Sequence, residues 1–476
     1  MSKVFPSSKP LIKSSAFSLD IVLLATLTII LFFYNIWSGS LRDWDEAIYA
    51  QVAKEYFQNN SWLQPTFNGE LWFHKPPFVM WFMRIGYSIW GIGELPVRIG
   101  PAICGAVTIL ITYRFTKERF GKGTAILASL ILLGIPHYVA HAKMGMLDVP
   151  LTLMIQLSLL SYLKGKHNPR WFLAAGAAFG TGFMIKGIAV CVVPVAIIAH
   201  IALFHEYKHL RSKYFWAGIG LSLLMFAPWH MVQTWQYGMQ FWNDYFVYHV
   251  VTRGTSAIEG HSNNVFYYFG TLFREAKPWF LPGFIAIPYC ILIAKREKNR
   301  ALAIIVCWIC SIFVITAAFS TKLDWYIMPL YPAMSICIAI MLTRLIPARH
   351  LRKVTALACA IIILNGIFCH KIFDLDYSSE IKSLSNIVST EIKPEESLYI
   401  YNINGPAAKF YIERNIIGIK PEHADIENRD IWQKGSICLL TRERYIDQVK
   451  TLISANTTET IASNGTYFLI RLTGNW

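Results

Sequence analysis

The chain has 476 residues, 54% of them hydrophobic and 15% charged, and carries a formal net charge of +15. That is too apolar for an ordinary soluble protein of this size and reads as a polytopic membrane protein. Its basic residues fall in short clusters between apolar runs, with no Gly-rich phosphate loop and no compact basic domain, so nucleotide hydrolysis and nucleic-acid binding are set aside.

In chain order, the first apolar run, residues 21–37, is about as long as a bilayer crossing and lacks a small-residue cleavage site. It is expected to be a membrane helix. Next comes Arg42-Asp43-Trp44-Asp45-Glu46. Carboxylates at a membrane mouth are costly to desolvate, so they point to chemistry or ion handling. The stretch from Ala47 reads as a helix, which puts Asp45 and Glu46 at its N-terminus, where the dipole favours ionised acids; simple helix capping by Asp45 is the alternative. His74-Lys75-Pro76-Pro77 follows, a rigid turn able to offer a lysine to a phosphate. Residues 78–90 are apolar but short and interrupted by Arg84 and Gly86, and are expected to lie on the membrane surface.

Basic clusters recur at Arg114–Lys122, Lys164–Arg170, Lys208–Lys213, Lys295–Arg300 and Arg344–Lys353, all expected on the cytoplasmic side. The apolar sequence between consecutive clusters suffices for about two crossings, giving about eleven transmembrane helices with the N-terminus cytoplasmic. The outer face then holds residues 38–96, a turn at 142–147, a break at Lys186-Gly187, a long loop at 233–277, the short 320–325 loop and everything after about Lys371. Residues 1–370 are read as the membrane domain and 371–476 as a small extracytoplasmic α/β domain, with strands expected at 398–401, 437–440 and 467–472. The tripeptides at Asn456 and Asn464 fit a glycosylation acceptor, a pattern too common to carry an assignment. Most cysteines fall in apolar spans, and no disulfide framework or zinc site is expected from them.

This topology gathers acids (Asp43, Asp45, Glu46, Asp148, Glu259, Asp324) and cations (Lys75, Lys143, Lys186, Arg253, Arg274, Lys277, Lys322) on one face. Such a mixture suits a substrate whose leaving group is a phosphate and whose nucleophile loses a proton. Lys186, alone between two apolar runs, is expected to face a cavity or partner. The aromatic-rich outer loop, with His249, His261 and Tyr267, suits either sugar stacking or a membrane interface. His137 and His141 have metal-ligand spacing but no matching third ligand.

Taken in order, Asp45-Glu46-Ala47-Ile48-Tyr49-Ala50, Lys75-Pro76-Pro77, Met146-Leu147-Asp148-Val149-Pro150 and Lys186-Gly187 resemble the GT-C membrane glycosyltransferases of family 39, the protein O-mannosyltransferases and lipid A aminoarabinose transferases. The resemblance implies a sugar donor on polyprenyl phosphate, used at the outer face of the inner membrane. It further implies Asp45 as the catalytic carboxylate, Asp148 as the second acid and Lys75 as the approach to the lipid phosphate. On that reading Glu46 organises the site, and Lys186, Arg253, Lys322 and Tyr49 join Lys75 around the donor. His74, His249, Glu259, His261 and Tyr267 are candidates for acceptor or sugar contacts. Ile48 and His74 depart from the arginine and glutamate typical of the lipid A branch, which puts an aminoarabinose substrate in doubt. The expected partners are membrane lipids, the lipid-linked donor and a glycolipid, glycan or protein acceptor; a divalent metal is left open, and a transporter or flippase of an anionic lipid is the rival reading.

Overall fold

The computed structural model describes residues 19–256, 264, 266–369, 372–393, 396–403, 405–414, 416–419, 436–453 and 457–473. The fold is mainly helical. In chain order the first helices are α1 (Leu19–Phe33), α2 (Asp45–Gln58), α3 (Phe78–Trp90), α4 (Glu94–Phe120), α5 (Lys122–Leu133), α6 (Pro136–Ala142) and α7 (Asp148–Gly165). They are followed by α8 (Trp171–Lys186), α9 (Val192–Phe204), α10 (Lys213–Trp242), the short α11 (Arg253–Thr255), α12 (Tyr267–Glu275), α13 (Phe280–Glu297), α14 (Arg300–Ala318), α15 (Leu330–Leu345) and α16 (Ala348–Phe368). Among the described residues five helical stretches are long and apolar enough to cross a membrane, or six if the bent pair α5 and α6 is one span.

One of those stretches, the 34 residues of Trp171–Phe204, doubles back rather than crossing once. Phe172 near its start and His200 near its end both pack on the Tyr162 ring, at 6.1 and 5.6 Å between centroids. The reversal is a 3-10 turn, Gly187–Cys191, opened by Gly187 at φ +57°. This is the break expected at Lys186-Gly187. α8 and α10 approach backbone to backbone, since a Cβ on Gly176 would lie 1.9 Å from the Gly218 carbonyl oxygen. Small residues are what permits such contact where lipid supplies no hydrophobic drive between helices. The 72° bend between α5 and α6 frees the Gly134 carbonyl, which accepts from Trp279 Nε1 at 3.1 Å and Asn365 Nδ2 at 2.9 Å. A broken helix is tolerated in a bilayer when its orphaned groups are satisfied in this way.

At one end of the bundle the largely buried α2 packs against α3. Arg84, which interrupts the apolar run of α3, donates to the Tyr56 carbonyl and Asn60 Oδ1 and stacks 3.7 Å over Trp62, tying α3 to the end of α2. The opposite face of α3 exposes Phe82, Ile85 and Ile89, as a helix on a membrane surface requires. Between the two helices, β1 (Thr66–Phe67) and β2 (Glu70–Leu71) form a hairpin turned by Asn68 and Gly69, both at positive φ. Glu55 accepts from both turn amides, at 2.5 and 3.1 Å, and so fixes the segment that runs on to Lys75.

After α17 (Ser379–Glu391) the chain forms a mixed five-stranded sheet in the order β4-β3-β5-β7-β6, made of β3 (Leu398–Tyr401), β4 (Ile416–Ile419), β5 (Ser436–Arg442), β6 (Thr457–Asn464) and β7 (Tyr467–Thr473), with α18 (Pro406–Tyr411) and α19 (Ile446–Ile453) between strands. β3 is parallel to β4 and β5, whereas β7 is antiparallel to β5 and β6. This region packs on α2: Lys54 donates to the Phe410 carbonyl at 2.9 Å, and Tyr411 Oη bridges the Leu41 amide to Glu94.

Candidate active site

Four acids surround the start of α2, and the structure separates them by what they touch. Glu46 is 1% exposed, with Oε1 accepting from Arg98 Nε at 2.9 Å and the Gly145 amide at 2.8 Å, and Oε2 accepting from the Arg42 amide at 2.8 Å. Arg98, itself without solvent exposure, also donates to the carbonyls of Ser38, Ser40 and Leu375. Asp43 accepts from the Ala407 amide at 3.0 Å, and burial raises its carboxyl above the ordinary range against that bond. Asp148, first residue of α7, is paired with Lys186 Nζ at 2.6 Å. Asp45 differs from all three, since among the described residues its carboxylate forms no hydrogen bond and no ion pair.

Capping does not account for Asp45. The N-cap of α2 is Trp44, Asp45 is the first helical residue, and no side-chain cap bond is made. Trp44 has φ +70° and ψ −126°, a conformation that costs a bulky residue about 1–3 kcal/mol and tends to mark functional sites. It turns the chain so that α2 starts at the wall of a cavity of about 510 Å³, lined by Asp45, Tyr49, Trp72 and Trp325 among others.

A second, mostly apolar cavity of about 130 Å³ adjoins the first, walled by Leu151, Ile188, Val192, Ile312 and Ile315. His74, Lys75, Lys186, His249, Arg253 and Tyr326 line both. Three cations therefore stand at the junction of a polar and an apolar space. Burial, then the nearby Lys186 and Arg253 charges, lower the Lys75 ammonium from 10.5 to about 8, and Asp45 and Asp148 offset this only in part. Lys75, like Asp45, makes no hydrogen bond or ion pair among the described residues. Lys186 additionally lies 5.2 Å from the Tyr326 ring centre.

Beside Lys75, His74 and His249 stack at 4.0 Å and flank Asp244, with Nε2 to Oδ1 distances of 3.7 and 3.6 Å. Both ring nitrogens of His249 lack a hydrogen-bond partner although the side chain is 5% exposed. Burial, then Lys75 and Arg253, lower His74 to about 3, so its imidazole is neutral at physiological pH, as metal ligation requires. Neutral imidazoles and a carboxylate whose ligating atoms lie within 4.8 Å of one another fit a borderline divalent cation such as zinc.

Two sequence candidates are not brought to this junction. Lys322 Nζ donates to the carbonyls of Thr316 and Phe319 at 3.1 and 2.7 Å, closing the end of α14, and is thereby removed from the set of phosphate contacts. Tyr267 donates to Asp324 at 2.6 Å in a cluster with Thr271 and Arg274, outside both cavities, and its phenol is raised to about 12 by burial and that bond. Glu259 and His261 lie outside the described residues. Conversely, Arg98 and Asp244 were not singled out by the sequence. An arginine inside the apolar start of α4 was a usable signal for Arg98, while Asp244 stands in an aromatic stretch without distinguishing pattern.

Residues 74–232 match the family described as dolichyl-phosphate-mannose-protein mannosyltransferase. An uncharacterised protein of Aquifex aeolicus is 30% identical over 65% of this chain and 61% of its own length. The undecaprenyl phosphate-alpha-4-amino-4-deoxy-L-arabinose arabinosyl transferase of Yersinia pestis is 25% identical over 67% of this chain and 58% of its own. This chain thus spans about three-fifths of the length of those relatives. Among solved structures, ArnT from Cupriavidus metallidurans bound to undecaprenyl phosphate superposes with a TM-score of 0.80 at 19% identity, covering 96% of this chain and 98% of that one. The chain has the GT-C fold. The archaeal oligosaccharyltransferase AglB from Archaeoglobus fulgidus superposes with a TM-score of 0.61 at 13% identity, over 91% of this chain and 70% of that one. The likeness to GT-C glycosyltransferases read from the ordered motifs is borne out, and the chain is a multi-pass membrane protein.

The contrast between committed and free acids has a measurable consequence. Glu46→Ala or Arg98→Ala leaves an unpaired buried charge and should cost about 3–5 kcal/mol, read as a lowered thermal unfolding midpoint in detergent. Asp45→Asn, which breaks no bond, should leave that midpoint unchanged.

Proposed function

We propose that the protein is an integral membrane glycosyltransferase that moves a sugar from a polyprenyl-phosphate donor to an envelope acceptor on the outer face of the cytoplasmic membrane. The observation that carries this reading is that Asp45 and Lys75, a carboxylate and an ammonium facing one cavity, form no hydrogen bond or ion pair among the described residues, while Glu46, Asp43 and Asp148 are bound. In the mechanism, the prenyl chain occupies the apolar cavity and its phosphate meets Lys75, Lys186 and Arg253 at the junction. The sugar extends toward Asp45 and Tyr49. The acceptor hydroxyl attacks the anomeric carbon from the face opposite the phosphate, its proton passes to Asp45, the carbon–oxygen bond to the phosphate breaks, and configuration is inverted. The departing phosphate gains negative charge, which fixed cations stabilise without reorganising. The oxocarbenium-like state is favoured by the nearby carboxylates. Glu46 and Asp148 position this machinery, Glu46 by holding the start of α2 and Asp148 by aiming Lys186.

The junction's three cations and adjoining apolar cavity support a lipid phosphate rather than a soluble one, as does the fold shared with proteins whose solved structures hold undecaprenyl phosphate or a dolichol-phosphate. The acceptor is a glycolipid, polysaccharide or protein hydroxyl. We further take residues 1–370 as a bundle of about eleven spans with a cytoplasmic N-terminus and the cavities on the outer face, a reading supported by the positive-inside pattern. Residues 371–476 form an extracytoplasmic α/β domain. His74, Asp244 and His249 would hold a divalent cation, which would supply positive charge beside the donor phosphate.

Three outcomes test this. Asp45→Asn should abolish transfer from a labelled polyprenyl-phosphate sugar while folded protein stays in the membrane; full activity in that variant, or sugar that moves across the bilayer without leaving its lipid, contradicts the reading. A phosphate bound at Lys75 raises the ammonium pKa above its free value of about 8, so donor affinity should be complete below pH 8 and fall as pH rises through it. Measured as KM for donor against pH, this fall should vanish in Lys75→Arg, which stays charged. Purified protein should retain near-stoichiometric zinc by elemental analysis and His249→Ala should lose it; equal metal content in both excludes the cation site.

A further inference from the structure

The opposite end of α7 opens on a different pocket. From Asp148 at the cavities, the 18 residues of α7 run about 27 Å, close to the thickness of a bilayer's hydrocarbon core, to a hollow of about 380 Å³ where the ends of α4, α7 and α9 meet the start of α14. Four cations line it, Arg119, Lys166, Lys298 and Arg300, against the single carboxylate of Glu206. Glu206 is largely buried and already engages Arg300 at 2.5 Å and Lys166 at 3.4 Å. The neighbouring acids do not dilute the charge: Glu118 pairs with Arg114 and Lys164, and Glu297 with Arg344.

The pocket is built rather than a chance meeting of loop lysines. His200 Nε2 donates to the Arg300 carbonyl at 3.2 Å, the Tyr162 hydroxyl bonds His200 Nδ1 at 3.1 Å, and His209 Nδ1 bonds the same hydroxyl at 3.3 Å. That chain ties three helices and the following turn together beneath the cations, with His209 Nε2 facing Glu206 Oε2 at 3.8 Å. The N-terminus of α14, capped by Asn299, adds its dipole at the rim. Trp171, Tyr207 and Trp216, all exposed, come from the same ends of the helices and mark the depth of a membrane interface.

We propose that this pocket binds a phosphate anion, that of an anionic phospholipid headgroup in the leaflet opposite the active site. Bound there, the phosphate shares the cations with Glu206 and clamps α7, α9 and α14 at the end remote from Asp148. Acidic lipid thereby steadies the helix that carries the second acid of the site.

The test uses the full chain in nanodiscs of phosphatidylcholine containing phosphatidylglycerol, with retained lipid counted by native mass spectrometry. Wild-type protein should keep phosphatidylglycerol selectively. The double variant Arg119→Gln and Lys298→Gln, which leaves the Glu206 pairs intact, should retain it about thirtyfold more weakly, and Glu206→Gln should retain it more strongly. Equal retention of the two lipids by wild type, or no change in the double variant, overturns the proposal. Excess inorganic phosphate separates the sources, since failure to displace the lipid confirms a headgroup site and full displacement assigns the pocket to free phosphate and overturns the lipid assignment. The readout is lipid, not sugar transfer, so it stands or falls independently of the proposed reaction.

Discussion

The ion pair between Arg98 and Glu46 is the constraint on which the active-site end of the molecule depends. Neither side chain touches solvent, and the pair collects the 38–42 segment, α2, α4, the turn at Gly145 and the Leu375 carbonyl, the guanidinium binding the carbonyls and the carboxylate the Arg42 and Gly145 amides. Taking such charges out of water is expensive, and an apolar pair of similar volume often serves stability as well or better. What the ions add is direction. Glu46 fixes the first turn of α2, which carries Asp45, and grips the Gly145 amide three residues before Asp148, so one carboxylate sets the spacing of the two acids facing the cavities.

Charge is then divided by function. Acids and cations with structural duties are satisfied locally: Glu46 by Arg98, Asp43 by Ala407, Lys143 by the Ile372 carbonyl, Lys322 by the end of α14. Asp45 and Lys75 are left to face a shared space, and the depressed ammonium of Lys75 records first its burial and then the neighbouring charges of Lys186 and Arg253. A cavity that destabilises its own cations in this way gains most from a ligand that brings negative charge, which under the proposed function couples donor binding to the electrostatics of the catalytic step.

Much of this was legible in the sequence, because a charged residue in apolar surroundings is a strong local signal. Lys186 was singled out that way; Asp45, Asp148, Lys75 and Arg253 were singled out as charges on the expected outer face, the first three also by the family resemblance, and the structure brings all five to adjoining cavities. The reversal at Lys186-Gly187 was legible for a related reason, a helix stop made of a lone cation and a glycine at positive φ. Partnerships across long sequence separations were not. Arg98 and Glu46 are 52 residues apart, Asp244 meets His74 from just beyond the end of α10, and nothing local distinguishes a lysine that faces a cavity from one that, like Lys322, turns back onto its own helix end. The edge strands β4 and β6 were missed as well; β6 is rich in Thr and buries none of its residues fully, without the alternation that marks a half-buried strand.

The central claim is that lipid phosphate is seated where the polar and apolar cavities join. An experimental density map of the protein with polyprenyl phosphate bound tests it most directly. The account predicts phosphate oxygens in hydrogen-bond contact with Lys75 and with Lys186 or Arg253, the first isoprene units against Ile188, Val192 and Ile315, and the Asp45 carboxylate still open to the larger cavity. A phosphate bound elsewhere on the bundle, with the three cations untouched, would contradict it.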